Sequence, residues 1–195
     1  MEIKQKCLGH YLSTWRNKFI MRISGISYGD GFMSFGRIVF RNYAGKGSIR
    51  IGVDVKVNSF DGGANPGLVA GRSMLITASS GSITIGDRVK IDNSAIFSAT
   101  EISIGDDTIL SPGCKIFDTD FHSSNAEYRL NGNTRVPTRP VIIGRHVFLG
   151  ANVTVLKGVS IGDGAVVGAG AVVSRNIPAQ EIWAGNPAKF VRKCR

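Results

Sequence analysis

Cysteine is scarce in this chain, and the three present, Cys7, Cys114 and Cys194, are odd in number and far apart. That pattern excludes a disulfide framework or a cysteine zinc site and reads as three free thiols. Histidine is equally sparse, at His10, His122 and His146, and lacks the close pair that a three-histidine zinc enzyme needs, so no metal is expected. No stretch approaches the ~18 consecutive apolar residues of a membrane span. Glu2, Lys4 and Lys6 are not followed by the continuous apolar run of a secretory leader, so the expected compartment is the cytoplasm. Low-complexity tracts are missing as well, and 43% hydrophobic residues over 195 positions read as one globular domain. Acidic residues run short, 14 against 24 Lys and Arg, for a net charge of +10. Such a surface calls for an anionic partner: nucleic acid, a membrane surface or a phosphorylated small molecule. The chain has no recognition helix, aromatic platform or zinc module, which sets nucleic acid aside.

What the chain has in abundance is a period of six. Ile143, Leu149, Val155, Ile161, Val167 and Val173 stand six apart, and glycine follows four of them. Upstream the same spacing runs through Ile85, Ile91 and Phe97, then, after seven residues rather than six, through Ile104, Leu110 and Ile116. Small or β-branched residues recur four places later, at Val89, Ala95, Thr108, Cys114, Val147, Val153, Val159, Ala165 and Ala171. A period of six fits no helix, and the glycines would weaken one. It fits a parallel β-helix in which three hexads make one triangular coil stacked on its neighbours. Residues 35–178 are assigned to about six such coils, with an irregular Gly-rich break from Asp61 to Gly71. Residues 1–34 form a separate N-terminal segment. There Arg16, Lys18 and Arg22 alternate with Tyr11, Leu12, Trp15 and Phe19, as in a basic amphipathic helix. Two uses of that helix stay open: lying on lipid, or packing on the β-helix or a neighbouring subunit.

The chemistry is expected where the repeat stops. Six residues after Ile116 comes His122, inside Asp118-Thr119-Asp120-Phe121-His122-Ser123, at the start of a polar excursion of about 118–140. Long loops interrupting a regular solenoid are usually functional. A neutral imidazole there can accept a proton from an attacking hydroxyl, and Asp118, Asp120 or Glu127 are candidates to hold its tautomer.

The repeats, the Asp-Thr-Asp-Phe-His loop, the run Ile143 to Asn152, the run Gly162 to Val173 and the close from Ile177-Pro178 to Ala184-Gly185-Asn186-Pro187-Ala188-Lys189 together resemble the hexapeptide-repeat acyltransferases. Within them the chain is most similar to the O-acetyltransferases of sugars: the maltose, galactoside and nodulation-factor enzymes and those of polysaccharide biosynthesis. The resemblance covers about residues 83–193. It implies a left-handed β-helix with a protruding loop and a short C-terminal helix, and a homotrimer with active sites at subunit interfaces. Acetyl-CoA is the implied acyl donor and a sugar or glycan precursor the acceptor. His122 takes the role of general base, the Ala151 amide that of oxyanion donor, and Asn93 and Asp120 face the acceptor. Gly150, Ala151, Gly168, Ala169, Ser174 and Arg175 would lie along the cofactor. Lys189 and Arg192, in a helix starting at Pro187 within an arm of residues 179–195, would reach its phosphates. Phe148 stands where an indole is common in the family, and residues 1–82 match it poorly. Polysaccharide or lipopolysaccharide biosynthesis is the preferred setting, with peripheral contact to the inner face of the membrane through the N-terminus. The rival readings are a xenobiotic O-acetyltransferase and a non-catalytic scaffold; the second needs neither His122 nor its loop.

Overall fold

The computed structural model describes residues 2–59 and 71–195, with side chains described from Tyr11 onward. Helix α1 (Glu2–Ile23) is followed by six triangular coils. The first holds strands β1 (Ser27–Tyr28), β2 (Met33–Gly36) and β3 (Val39–Asn42); the second β4 (Ile49–Ile51), β5 (Lys56–Ser59) and β6 (Met74–Thr77). The third holds β7 (Ser82–Ile85), β8 (Lys90–Asp92) and β9 (Ala95–Ser98); the fourth β10 (Glu101–Ile104), β11 (Ile109–Leu110) and β12 (Lys115–Phe117). After a loop carrying helix α2 (Ala126–Leu130) come β13 (Val141–Ile143), β14 (Phe148–Leu149) and β15 (Thr154–Val155), then β16 (Ser160–Ile161), β17 (Val166–Val167) and β18 (Val172–Val173). Strands β19 (Glu181–Ala184) and β20 (Lys189–Lys193) close the chain. Every third strand pairs in parallel, giving three faces in the order β1-β4-β7-β10-β13-β16, β2-β5-β8-β11-β14-β17 and β3-β6-β9-β12-β15-β18.

The prism interior is a set of ladders. Ile51, Ile85, Ile104, Ile143 and Ile161 stack in register on the first face. Val57, Ile91, Leu110, Leu149 and Val167 stack on the second, and Leu75, Ile96, Ile116, Val155 and Val173 on the third. All are buried. Each rung exposes its backbone to the next coil, so the coils are held by hydrogen bonds along the axis and by apolar burial across it. Glycine follows the inward residue because the next coil's backbone lies against it: a Cβ on Gly144 would meet the Asp163 amide nitrogen at 2.8 Å. Positive φ falls two residues after the glycine instead, as at His146 (φ 54°) and Asn152 (φ 60°).

Four expectations are corrected. The β-helix begins at Ser27, not residue 35, because α1 ends at Ile23 and the chain turns directly into the first coil. In the third coil the inward residue is Ile96, and Phe97 points outward; Ser94, not Ala95, is the small buried residue before it. The corner after β8 is one residue shorter than its equivalents, which moves the extra residues to Ser98-Ala99-Thr100 after β9. The C-terminal segment is a β-hairpin and not a helix: β19 pairs in parallel with β17, and β20 returns antiparallel to β19. The last edge of the second face offers unpaired amides and carbonyls, and Ile182, Trp183, Phe190 and Val191 are residues that favour strands. The expected Gly-rich break falls on residues 61–71, of which 61–70 lie outside the described residues.

Helix α1 covers the open end of the prism. Ser13 and Thr14 hydroxyls donate to the Ser34 carbonyl (2.7 and 3.1 Å), and buried Asn17 donates to Ser34 Oγ and the Gly36 carbonyl (both 2.9 Å). Met21 is fully buried beneath it. The helix shields the first coil's apolar ladder from water.

Candidate functional site

The long loop leaves the third face at Asp118 and rejoins the first face at Val141. Its root is rigid. Asp118 is fully buried and accepts from Ser98 Oγ (2.8 Å), the Ala99 amide (2.6 Å), the Thr100 amide (2.8 Å) and Thr100 Oγ1 (3.1 Å). The extra residues of the third coil therefore make the bed in which the carboxylate sits. A Thr119–Thr138 bridge, the Asp120 amide on the Pro137 carbonyl (3.1 Å) and the Arg139 amide on the Asp118 carbonyl (2.9 Å) zip the two ends together. Lys157, from the next coil, pairs with Asp120 at 2.7 Å.

Above that root the chain turns back over the third face. Phe121 takes a left-handed backbone (φ 60°), a conformation rare for a bulky side chain. Its ring packs on Phe97 (centroids 4.8 Å) and edge-on to Phe117 (5.1 Å), two outward residues on adjacent rungs. The strain is offset by this aromatic seat. His122 follows at once, its amide bonded to the Asp120 carbonyl (2.6 Å) and its side chain exposed. The tip is ordered from within: Asn125 caps α2, Asn133 accepts from the Ser123 amide and donates to the Phe121 carbonyl, and Arg129 donates to the Ser123 and Ser124 carbonyls.

The His122 imidazole has no hydrogen-bond partner among the described residues. The three carboxylates considered for orienting it are engaged or remote: Asp118 belongs to the coil, Asp120 to Lys157, and Glu127 stands exposed on α2. Phe121, named in the sequence only as a neighbour of the histidine, is the residue that positions it.

The other candidates fall along two margins of the same third face. On the margin between the second and third faces stand Asn93 (φ 37°), Gly150, Ala151, Gly168 and Ala169. Gly150 is required by packing, since a Cβ there would lie 2.6 Å from the Ala169 amide nitrogen. Ala151 is different. Its amide donates to no acceptor among the described residues, whereas at the opposite corners the equivalent amides are capped by an aspartate of the next coil. Val53 N–H donates to Asp87 (2.8 Å), Asp87 to Asp106 (2.9 Å) and Arg145 to Asp163 (2.8 Å). The residue below Ala151 is Ala169, which has no carboxylate to offer. Beneath the same margin Cys114 is fully buried, its Sγ 3.3 Å from the Gly150 carbonyl, and burial pushes its thiol up to about 11. A thiol so protonated is no nucleophile near neutral pH.

On the other margin, below the loop, stand exposed Ser174 and Arg175, the latter one coil beyond Lys157. Lys189 and Arg192 lie on β20 rather than one face of a helix. Lys189 pairs with Ala184 at the foot of the Ala151–Ala169 margin, where the Ala188 amide bonds to the Val172 carbonyl (2.8 Å); Arg192 pairs with Ile182, across a bulge, toward the far side of the second face. The third face is thus bordered by the His122 loop on one side and by the open Ala151 amide on the other. His146 stands at a different edge, near Asp107.

A family profile described as the hexapeptide repeat of succinyl-transferase matches residues 140–175. No curated protein matches the chain significantly. Among solved structures the chain is similar to an N-acyltransferase from Bacillus cereus, seen with dTDP and 3-hydroxybutyryl-CoA. The identity is 22%, with 94% of this chain and 90% of that chain covered and a TM-score of 0.72. It is also similar to a galactoside acetyltransferase in complex with coenzyme A (22% identity, 92% and 70% covered, TM-score 0.58). A hexapeptide-repeat acetyltransferase from Vibrio cholerae is similar too (20%, 94% and 81%, TM-score 0.61). The fold is therefore a left-handed parallel β-helix.

Proposed function

We propose that this chain, a left-handed β-helix of hexapeptide repeats, is a CoA-dependent acyltransferase that passes an acetyl group to a hydroxyl of a sugar or glycan precursor. The observation that carries the reading is the loop: a buried carboxylate and an aromatic seat hold His122 out over the third face with its imidazole free of any described partner. A sugar hydroxyl is a weak nucleophile near neutral pH, and a base in hydrogen-bond reach removes its proton as the new C–O bond forms. In this reading His122 takes that proton, and the open Ala151 amide donates to the thioester oxygen as it gains charge. The imidazolium then returns the proton to the departing thiolate, leaving ester and free thiol. Transfer is direct, and the protonated Cys114 takes no part. Asn93, from the Ala151 margin, and Asp120, from the loop margin, border the acceptor from opposite sides, and Arg175 and Lys189 supply cations for the donor's phosphates, in keeping with the net charge of +10. We place the active sites between copies in a homotrimer, where one chain's loop faces another's margin. The setting we favour is polysaccharide or lipopolysaccharide biosynthesis.

The test is thiol release from acetyl-CoA across a panel of sugars, nucleotide sugars and oligosaccharides, for wild type and His122→Ala. Acceptor-dependent turnover falling by about 10² to 10⁴ in the variant supports the base. Unchanged turnover removes His122 from the chemistry. The likeness to the Bacillus cereus N-acyltransferase, with a TM-score of 0.72, favours a second reading in which the acceptor is a sugar amine. Esters yield to hydroxylamine and amides do not, so treating the product separates the two. An amine that arrives unprotonated needs less help, and the His122→Ala loss would then be smaller.

A further inference from the structure

Helix α1 has a face that the prism does not use. Ser13, Thr14, Asn17, Ile20 and Met21 turn toward the first coil. On the opposite side Tyr11, Leu12, Trp15, Phe19 and Ile23 are exposed, from 55% for Phe19 to 76% for Tyr11. With about 100° per residue, Trp15, Phe19, Leu12 and Ile23 form one continuous strip. Trp15 and Phe19 stack at 6.2 Å. Lys18 and Arg22 fall along one margin beside Tyr11, and Arg16 falls along the other. Between residues 11 and 23 there are three cations and no acid.

The charge extends beyond the helix. Tyr11 and Lys18 line a cleft of about 500 Å³ against Met33 and Asp54. Asp54 also borders the adjoining hollow of about 410 Å³, lined by Lys56, Arg88, Lys90, Asp107 and Ile109. Lys56 and Lys90 stand directly opposite each other on adjacent strands, in a hollow where Asp107 is already paired with Arg88 (2.8 Å) and Asp54 is the other carboxylate of the lining. No described helix is long and apolar enough to cross a membrane.

We infer that this face docks the protein on an anionic lipid surface, with the Trp15–Phe19 strip in the headgroup region and Lys18, Arg22, Arg16, Lys56 and Lys90 against acidic headgroups. An aromatic and aliphatic strip margined by cations suits an interface that is apolar within and negative at its surface. A second copy fits poorly, because apposing two such strips sets three cations of α1 against three, and residues 11–23 carry no acid to answer them. The inference is independent of the acyl-transfer reading.

The experiment is co-sedimentation of the full chain with vesicles of phosphatidylcholine alone or of equimolar phosphatidylcholine and phosphatidylglycerol. The Trp15 emission is followed in a Trp183→Phe background. The expected result is binding to the mixed vesicles at least about tenfold tighter than to phosphatidylcholine, with a blue shift of Trp15. Trp15→Ser/Phe19→Ser should weaken it by about tenfold or more, and Lys18→Glu/Arg22→Glu should abolish the preference. Trp15, Phe19 and Arg22 lie outside the capping contacts and Lys18 loses only its place over the Tyr28 ring (5.7 Å to the centroid), so light scattering and far-UV circular dichroism should be unchanged. Equal binding to both vesicles overturns the inference. So does no binding, and a change of oligomeric mass in Trp15→Ser/Phe19→Ser would then assign the face to a second copy.

Discussion

Replacing Ala151 by proline removes one N–H and little else. One coil earlier, the same corner position holds Pro112, placed by the Leu110–Leu149 register and by the Asn152 amide bonded to the Pro112 carbonyl (2.9 Å). The backbone there accommodates a proline ring, and the Ala151 amide has no described acceptor to lose. Ala151→Pro should therefore leave the urea midpoint within about 1 kcal/mol of wild type, or raise it slightly through the stiffer unfolded chain. If the amide holds the developing oxyanion, kcat should fall by about 10² to 10³, equivalent to about 3–4 kcal/mol. Ala169→Asp approaches the same amide from the other side. At the first-to-second corners the next coil's aspartate accepts this amide at 2.8–2.9 Å. An aspartate at 169 should cap Ala151 the same way, adding about 1 kcal/mol of stability while blocking transfer. The assay pairs denaturation with thiol-release kinetics on each variant. Wild-type kcat in a folded Ala151→Pro protein would refute the oxyanion assignment, whatever the fate of His122.

Asp118→Ala orphans the Ala99 and Thr100 amides and two hydroxyls, and should cost about 4 kcal/mol, given about 1–3 for each buried backbone donor left unpaired. It should also open residues 119–139 to limited proteolysis; stability within about 0.5 kcal/mol of wild type would contradict the anchoring role. Phe121→Ala should lower kcat roughly tenfold by releasing His122 from its seat, with the KM for acyl-CoA unmoved; a raised KM and steady kcat would make the ring a cofactor contact instead. Cys114 gives a pH signature. Folding favours its protonated thiol, so its contribution is fully present below the unfolded thiol's value of about 8.5 and is lost as pH rises from there toward about 11. Cys114→Ala, which copies Ala165 and Ala171 in later coils, should flatten that part of the stability curve, and a slope identical to wild type would place the titration elsewhere.

The prism was legible because a hexad repeat states its rule many times. Each inward residue from Ile143 to Val173 lies where the spacing puts it, and the repeat fails at His122 because the chain has already left the third face at Asp118. The slip at Phe97 is instructive. A one-residue shortening of the corner after β8 and the extra residues after β9 leave the coil-to-coil spacing almost unchanged, so periodicity alone assigns the wrong neighbour to the core. Only the bed that Ser98, Ala99 and Thr100 make for Asp118 explains where the length went. The hairpin at the end was hidden for a different reason. Asn186-Pro187 followed by Lys189 and Arg192 reads locally as a helix start, but the open edge of the second face decides in favour of a strand.

Residues that bear on function were harder to separate from residues the coil needs, and the separation comes from comparing corners. Glycine at position 150 says nothing about a ligand, because Gly144 and Gly150 both meet the next coil's backbone. The residue after the glycine does say something. Along one margin it includes Asp87, Asp106 and Asp163, which close the coil's loose amides. Along the margin that borders the third face opposite His122 it is Ala151 and Ala169, which close nothing, and the equivalent place one coil earlier holds Pro112, after Ser111. Stability alone would favour aspartate at both margins, since the backbone geometry repeats. The asymmetry is what a groove requires: an aspartate there would occupy the amide and set a negative charge in the path of a phosphorylated donor. A chain with aspartate at position 169 should thus be the more stable β-helix and the poorer transferase, and finding it equally active would mean that the third face is not the groove.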